Sequence, residues 1–157
     1  MHLHFTAWDD PVVDQRGFPG LTLYADLFWL PIIGPSSLAL FRRVNVHLRP
    51  NEHACEFRFE VLSSALGLGR GASKNAPLPR AIDRCVRFGL AKRTGANSFA
   101  VRRFVSPISR HHLSLLPPEL QELHDSYLAA ATTSTSAPAP TSAPPPTQLP
   151  GTSLDSV

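Results

Sequence analysis

The most constraining stretch of this sequence is an amphipathic segment that runs from Pro77 to Phe88. At about 100° per residue, its apolar side chains fall in one arc of a helix and its arginines fall on the opposite side. The apolar set is Leu78, Ile82, Cys85, Val86 and Gly89, and the basic set is Arg80, Arg84 and Arg87. Such a helix must pack its apolar side on other elements and leave its basic side exposed.

Turn-forming residues bound this helix and connect it to its neighbours. Asn75 is positioned to cap its N-terminus, and Gly89 is positioned to end it. A second helix is predicted near Glu60–Leu66, with Gly67 as its stop. The apolar stripe of that helix is Val61, Leu62, Ala65 and Leu66. A short helix, a glycine-rich connection and a longer helix form a helix-turn-helix arrangement.

The residues upstream predict one more helix and two segments without helix. Gly34-Pro35-Ser36-Ser37 starts the helix and Pro50 stops it. The apolar positions between them are Leu38, Phe41, Val44 and Leu48. Leu21–Leu30 is rich in aromatic residues and leucine, and it predicts an extended segment that Pro31 ends. Residues 1–20 hold several chain breakers and predict an irregular N-terminal segment.

The residues after Gly89 predict a β-hairpin. Thr94-Gly95-Ala96-Asn97 separates two extended runs, in which Phe99 and Val101 face the core, with Phe104 as a further candidate. The side chains expected on the exposed face are Lys92, Arg93, Arg102 and Arg103. A helix with an arginine face followed at once by a basic hairpin is the layout of a winged helix-turn-helix. We therefore expect a mainly α fold with a small β-hairpin, of the winged helix-turn-helix type.

A last helix and a low-complexity tail follow the hairpin. Residues 110–131 predict the helix, with Pro118 at its start. Its packing side is Leu120, Leu123, Tyr127 and Leu128. Residues 132–157 are dominated by Ser, Thr and Pro, which predicts a disordered, solvated tail. The alternatives are an SH3-type ligand, through which the tail binds an unknown protein, and a mucin-like stalk. The predicted organisation is an irregular segment (1–20), a winged-helix domain (21–131) and a tail (132–157).

The charge distribution indicates a polyanionic partner. The net charge is only +3, but residues 42–110 hold 14 of the 15 Lys and Arg residues beside four acidic residues, a local net charge of +10. The flanking segments are both acidic. Genomic base composition accounts for the excess of Arg over Lys, but it does not account for the clustering of basic residues in the middle of the chain. A basic middle between acidic ends is typical of a module that binds a polyanion.

We expect that polyanion to be double-stranded DNA. Arginine bonds guanine bidentately, or grips a phosphate, from a helix lying in the major groove. The predicted DNA-binding residues are Lys74 and Asn75 at the helix N-terminus, Arg80, Arg84 and Arg87 on the helix, and Lys92, Arg93, Arg102 and Arg103 on the hairpin. The alternative is that the helix carries solvated surface arginines, of which Arg80 or Arg87 pairs with Asp83.

No motif in the sequence indicates an enzyme, a metal or a cofactor. A Walker A loop, a GxSxG motif and an HExxH motif are all missing, and two cysteines make neither a disulfide scaffold nor a four-cysteine zinc site. The pairs His2/His4 and His124/Asp125 lack partners at fixed spacing. The opening residues lack an export signal, and the longest uncharged apolar run has 15 residues where about 20 span a bilayer. We expect a cytoplasmic protein without membrane contact.

Four stretches of the chain carry a resemblance to known proteins. FWLPIIGPSSLALFRRV, ALGLG, NAPLPRAIDRCVRFGLA and VRRFVSPISRHHLSLLPPEL together resemble a small, uncharacterised family of actinobacterial winged-helix proteins, over about Leu27–His124. LPIIGPSSLALF also resembles the opening of primosomal DnaD-type N-terminal winged-helix domains, whose C-terminal DNA-binding domain has no counterpart here. The resemblance implies a winged-helix fold and a homodimer formed through the N-terminal segment, and it supplies no catalytic residue.

The sequence thus predicts a DNA-binding regulator of transcription or a replication accessory factor. One alternative is a winged-helix adaptor whose basic face meets an acidic protein surface without binding DNA. Another is an RNA-binding factor, which is disfavoured because no aromatic residues are interleaved on the basic face to stack on unpaired bases.

Overall fold

Seven α-helices and two small β-sheets make up residues 1–134, the part of the chain that this computed structural model describes. The helices are α1 (Pro11–Arg16), α2 (Leu30–Ile33), α3 (Pro35–His47), α4 (Phe59–Ala65), α5 (Pro77–Arg87), α6 (Arg110–Leu113) and α7 (Pro118–Ser134). The strands are β1 (His2–Trp8), β2 (Phe18–Pro19), β3 (Ala54–Arg58), β4 (Ala91–Arg93), β5 (Ser98–Arg102) and β6 (Phe104–Val105). The fold class is therefore mixed α/β rather than mainly α with a hairpin. None of the described helices has the length and apolar character needed to cross a membrane.

The first residues of the chain form one of the two interior strands of the larger sheet, so the prediction of an irregular segment over 1–20 was wrong. The strand order is β3-β1-β5-β4, with β1 antiparallel to β3 and parallel to β5. Leu3 and Phe5 are buried, while His2 and His4 are exposed. This alternation has the period of a strand, and the chain breakers begin only after it, at Pro11.

The stretch Leu21–Leu30 is not extended as predicted but contains a π-helical turn, Ala25–Trp29, that runs directly into α2. The Leu30 N–H donates to the carbonyl of Ala25, five residues earlier. Pro31 lacks an N–H and would crowd the carbonyl four residues before it in a regular α-helix, so the wider turn accommodates it. The buried side chains are Tyr24, Ala25, Phe28 and Trp29. Their spacing is that of a helix, although the aromatic composition of the segment favoured an extended strand.

The three helices α3, α4 and α5 occur where the sequence predicts them, within a residue or two at each end. Gly89 follows α5 with a φ of 72°, the left-handed conformation that ends a helix at low cost only in glycine. Two details differ. The N-cap of α5 is Ala76 rather than Asn75, and it makes no side-chain capping bond. In α4 the buried positions are Phe59, Leu62 and Ser63, because Phe59 turns the helix so that Val61 is 55% exposed.

The predicted hairpin is confirmed as β4 and β5, joined by residues 94–97. Phe99 and Val101 are buried, as expected, and Phe104 is half-buried. The second run is shorter than predicted, because β5 ends at Arg102. The chain then enters β6, which pairs with β2 in the separate two-stranded sheet.

Residues 110–131 form two helices instead of one, because two consecutive prolines separate α6 from α7. Pro118 begins α7 as predicted. The packing side of α7 is centred on His124, which is 3% exposed, whereas the predicted Leu123 is 41% exposed. Helix α7 continues to Ser134, past the predicted boundary at 131, and the rest of the predicted tail lies outside the described residues.

Helices α3 and α5 pack against each other and against the larger sheet, and this packing orients the basic face of α5. Phe5 and Phe99 from the sheet, Phe41 from α3 and Ile82 from α5 line one small apolar cavity in the core. Each of these side chains is at most 5% exposed. The side of α5 that faces away from this core is left to solvent.

Candidate nucleic-acid interface

Helix α5 divides into the two faces that its sequence predicts. Leu78, Ile82 and Cys85 are at most 5% exposed and belong to the core. The exposed charged positions are Arg80, Asp83, Arg84 and Arg87. Because a helix turns 100° per residue, these charged side chains project from the surface opposite the core.

Three of the predicted cations have no partner within residues 1–134. The side chains of Lys74, Arg80 and Arg87 make no hydrogen bond, ion pair or ring contact there. Together with Asn75, Asp83 and Arg84 they line a shallow groove of about 260 Å³. The fold thus brings together all five residues predicted on α5 and at its N-terminus. We call this set (Lys74, Asn75, Arg80, Arg84 and Arg87) the basic face.

Arg84 differs from its neighbours because its guanidinium is held in place. Its Nη2 donates to the carbonyl of Ile32 at 2.9 Å, and its Cζ lies 5.7 Å from the centre of the Phe88 ring. Arg80 and Arg84 also line a second groove of about 240 Å³, formed with residues 33–37 at the start of α3. The two arginines therefore stand between two open grooves, and Arg84 keeps a fixed orientation there.

The single acidic side chain of this surface is paired across elements. Asp83 Oδ1 lies 2.5 Å from Arg93 Nη2 on β4, and the Arg93 guanidinium also covers the ring of Phe99 at 5.1 Å. The expected pairing of Asp83 with Arg80 or Arg87 of its own helix was therefore wrong, while the alternative that these are solvated surface arginines is untested. The pairing leaves those two guanidinium groups available and commits Arg93 to joining the hairpin to α5.

The arginines at and just after the end of β5 are half-buried and ion-paired, so the expectation that they lie on the exposed face of the hairpin was wrong, while their role in DNA binding stays a prediction. Arg102 lies 2.7 Å from Asp10 Oδ2, donates from Nε to the carbonyl of Gly89 at 2.8 Å, and is 16% exposed. Arg103 pairs with Asp9 at 2.5 Å and is 25% exposed. The parallel pairing of β1 with β5 brings the two aspartates to these arginines, and pairing over that separation in sequence leaves no local signal.

The indole of Trp8 is a further partner of the basic hairpin that sequence reasoning missed. The Arg102 guanidinium lies 4.0 Å and the Lys92 ammonium 4.6 Å from the centre of its ring. Cations at these distances are attracted to the ring face. Asp10 reinforces the arrangement: hydrogen bonding by the Val13 N–H, with a smaller contribution from Arg102, holds the pKa of this carboxyl below its ordinary value of 3.8.

The histidines that the sequence singled out contact neighbouring polar side chains. His2 and His4 both contact the carboxylate of Glu56 across the β1–β3 pair, His4 at 3.1 Å. Among residues 1–134, no three His, Cys, Asp or Glu side chains are arranged to hold a metal ion. His124 is buried against the hydroxyl of Tyr24, at 3.0 Å from Nε2.

Burial raises the pKa of the Cys85 thiol to about 12. Burial, together with the charge of Glu52, raises that of Cys55 to about 11. Both shifts disfavour the thiolate, the nucleophilic form of cysteine, at neutral pH.

No protein-family model, curated protein or solved structure matches this chain. The winged-helix resemblance and a DNA-binding role therefore stay predictions.

Proposed function

We propose that this protein binds double-stranded DNA through its basic face. The observation that carries the proposal is the presence of three exposed cations, Lys74, Arg80 and Arg87, that have no partner within residues 1–134 and line one open groove. An unpaired guanidinium or ammonium group bonds a phosphate without first giving up another partner. Arg84, whose guanidinium donates to the carbonyl of Ile32, adds positive charge to the same groove.

The order of elements supports a winged helix-turn-helix as the basis of this function. From α3 onward the chain follows the order α3-β3-α4-α5-β4-β5, in which α5 stands in the position of the recognition helix and β4–β5 in that of the wing. Strands β3 and β5 run antiparallel to each other with β1 inserted between them. In such an arrangement the second helix of the helix-turn-helix enters the major groove, and α5 exposes its arginines on that side.

The dependence of DNA affinity on salt concentration gives a quantitative expectation for this proposal. Each phosphate neutralised by a cation contributes about −0.9 to the slope of log affinity against log salt. Contacts from Lys74, Arg80 and Arg87 therefore predict a slope of roughly −3. We expect a modest affinity for DNA of any sequence. A preferred DNA site, and a role in transcription or replication, would add to this non-specific binding.

The test is fluorescence anisotropy of the full chain with a labelled random-sequence duplex at several salt concentrations. The variant R80Q/R87Q removes two unpaired cations of the basic face. The matched control R16Q/R49Q makes the same change in charge at two exposed arginines of other elements, which also have no side-chain partner within the described residues. Thermal unfolding by circular dichroism establishes that both variants are folded.

We expect R80Q/R87Q to weaken binding at least tenfold at low salt, and its slope to become less negative by about 2, one unit per lost contact. The control should weaken binding much less and keep the wild-type slope. Equal losses in the two variants would refute the basic face as the binding surface. A wild-type protein that binds no duplex at low salt would refute DNA binding and favour an acidic protein surface as the partner of the basic face.

A further inference from the structure

Acidic side chains of the N-terminal segment neutralise arginines of the basic middle of the chain. Asp9 pairs with Arg103 and Asp10 pairs with Arg102, at 2.5 and 2.7 Å. A carboxylate offers arginine the same kind of charged oxygen acceptors as a phosphate does. The two aspartates therefore occupy positions at which a nucleic-acid phosphate would otherwise bond these guanidinium groups.

The two pairs differ in how easily a phosphate could displace the aspartate. Asp10 is 25% exposed and also accepts hydrogen bonds from the N–H groups of Val12 and Val13, at the start of α1. Asp9 is 60% exposed, and within residues 1–134 its side chain bonds only Arg103. Exposed ion pairs are weak because water and salt screen them. Asp9 is thus the displaceable partner, and Asp10 is fixed.

Arg103 lies close to the proposed DNA-binding surface. Its neighbour Arg102 donates to the carbonyl of Gly89, the residue that ends α5, so the base of the hairpin meets the C-terminal end of that helix. Arg87 lies two residues before this point. For Arg103 to contribute, a duplex that contacts Arg87 must also reach the Asp9–Arg103 pair.

We infer that Asp9 masks Arg103 as an additional phosphate contact of this surface. This inference rests on the proposed function. Asp9 and a DNA phosphate compete for the same guanidinium, so the pair lowers the affinity for DNA while Asp9 is ionised and bound. Removing the charge of Asp9 releases Arg103 to make one further phosphate contact.

The test compares D9N with D14N in the same anisotropy titration with random-sequence duplex. Asparagine keeps the shape of aspartate and removes its charge. Asp14 belongs to the same segment but makes no side-chain hydrogen bond or ion pair within residues 1–134, so D14N controls for the change in net charge. We expect D9N to bind about two- to fivefold more tightly at low salt, with a slope more negative by about 0.9. D14N should keep the wild-type slope.

The double variant D9N/R103Q identifies the group that Asp9 masks. If the gain of D9N disappears in the double variant, the gain runs through Arg103. Equal effects of D9N and D14N, or a gain that survives R103Q, would overturn the masking while binding by the wild-type protein stands. Binding by neither the wild type nor D9N would overturn the proposed function and the masking together.

Discussion

Replacing Phe5 with alanine tests whether the N-terminal strand is part of the core. Phe5 is 2% exposed, and its ring lies 5.6 Å from that of Phe99 and 6.0 Å from that of Phe57, which belong to the two strands that flank β1. Truncating a buried phenylalanine costs about 3–5 kcal/mol, because transfer free energy is lost and a cavity remains. In a chain of this size each kcal/mol lowers Tm by about 2–4 °C, so F5A should lower it by roughly 6–20 °C.

The assay is unfolding by guanidinium chloride, followed by circular dichroism and fitted for the free energy of unfolding and its denaturant slope. The matched control is V61A, since Val61 is 55% exposed although the sequence predicts it in an apolar stripe. V61A should change the free energy of unfolding by less than about 0.5 kcal/mol. A loss below about 1 kcal/mol in F5A, or equal losses in the two variants, would refute the placement of β1 inside the sheet.

Two further substitutions probe the polar groups that hold the fold. Tyr24→Phe keeps a fully buried ring but removes the hydroxyl that accepts the Ile108 N–H at 2.9 Å and bonds His124, so it should lower the free energy of unfolding in urea by about 1–3 kcal/mol. An unchanged midpoint would contradict these bonds. Asp10 has a folded-state pKa below 3.8, so its contribution to stability is present above that pH and is lost as the pH falls through the lower folded value. Wild-type stability should therefore fall more steeply below about pH 3.8 than that of D10N, and parallel pH profiles would contradict this.

The parts of the fold that sequence reasoning predicted are those with local signals. Helix α3 has proline at its start and apolar residues at helical spacing, and α5 adds a terminal glycine. The hairpin has a turn sequence between two short extended runs. In each case the determining residues lie within about a dozen positions of one another, and the apolar periodicity agrees with the turn chemistry.

The parts that were mispredicted depend on contacts between distant residues. Strand β1 pairs with residues about 50 and 95 positions away, as in the pairs His4–Glu56 and His4–Ser98. In the helical stretch before α2, the buried residues Tyr24 and Phe28 pack against α7, about 100 residues later. Local propensity carries no information on such partners, and tertiary packing overrides it.

Contacts between distant residues also decide which basic side chains have a partner in the fold and which have none. The sequence predicts eight cations at the DNA surface, and eight phosphate contacts would give a salt slope of about −7. In the fold, Arg102, Arg103 and Arg93 are paired with aspartates, Lys92 lies on Trp8, and Arg84 is anchored to a carbonyl. The cations without partners in the described part of the chain are Lys74, Arg80 and Arg87.

The slope therefore distinguishes these two interpretations of one charge cluster. A value near −3 means that the ion pairs persist in the complex, and a value near −7 means that DNA engages all eight cations, which requires it to displace the aspartates. If Asp9 masks Arg103, the wild-type protein should have a slope near −3. The slope of D9N should be more negative by about 0.9. Local net charge alone overestimates the charge that a partner can use, because Asp9 and Asp10, which follow β1, pair with arginines of the basic middle of the chain.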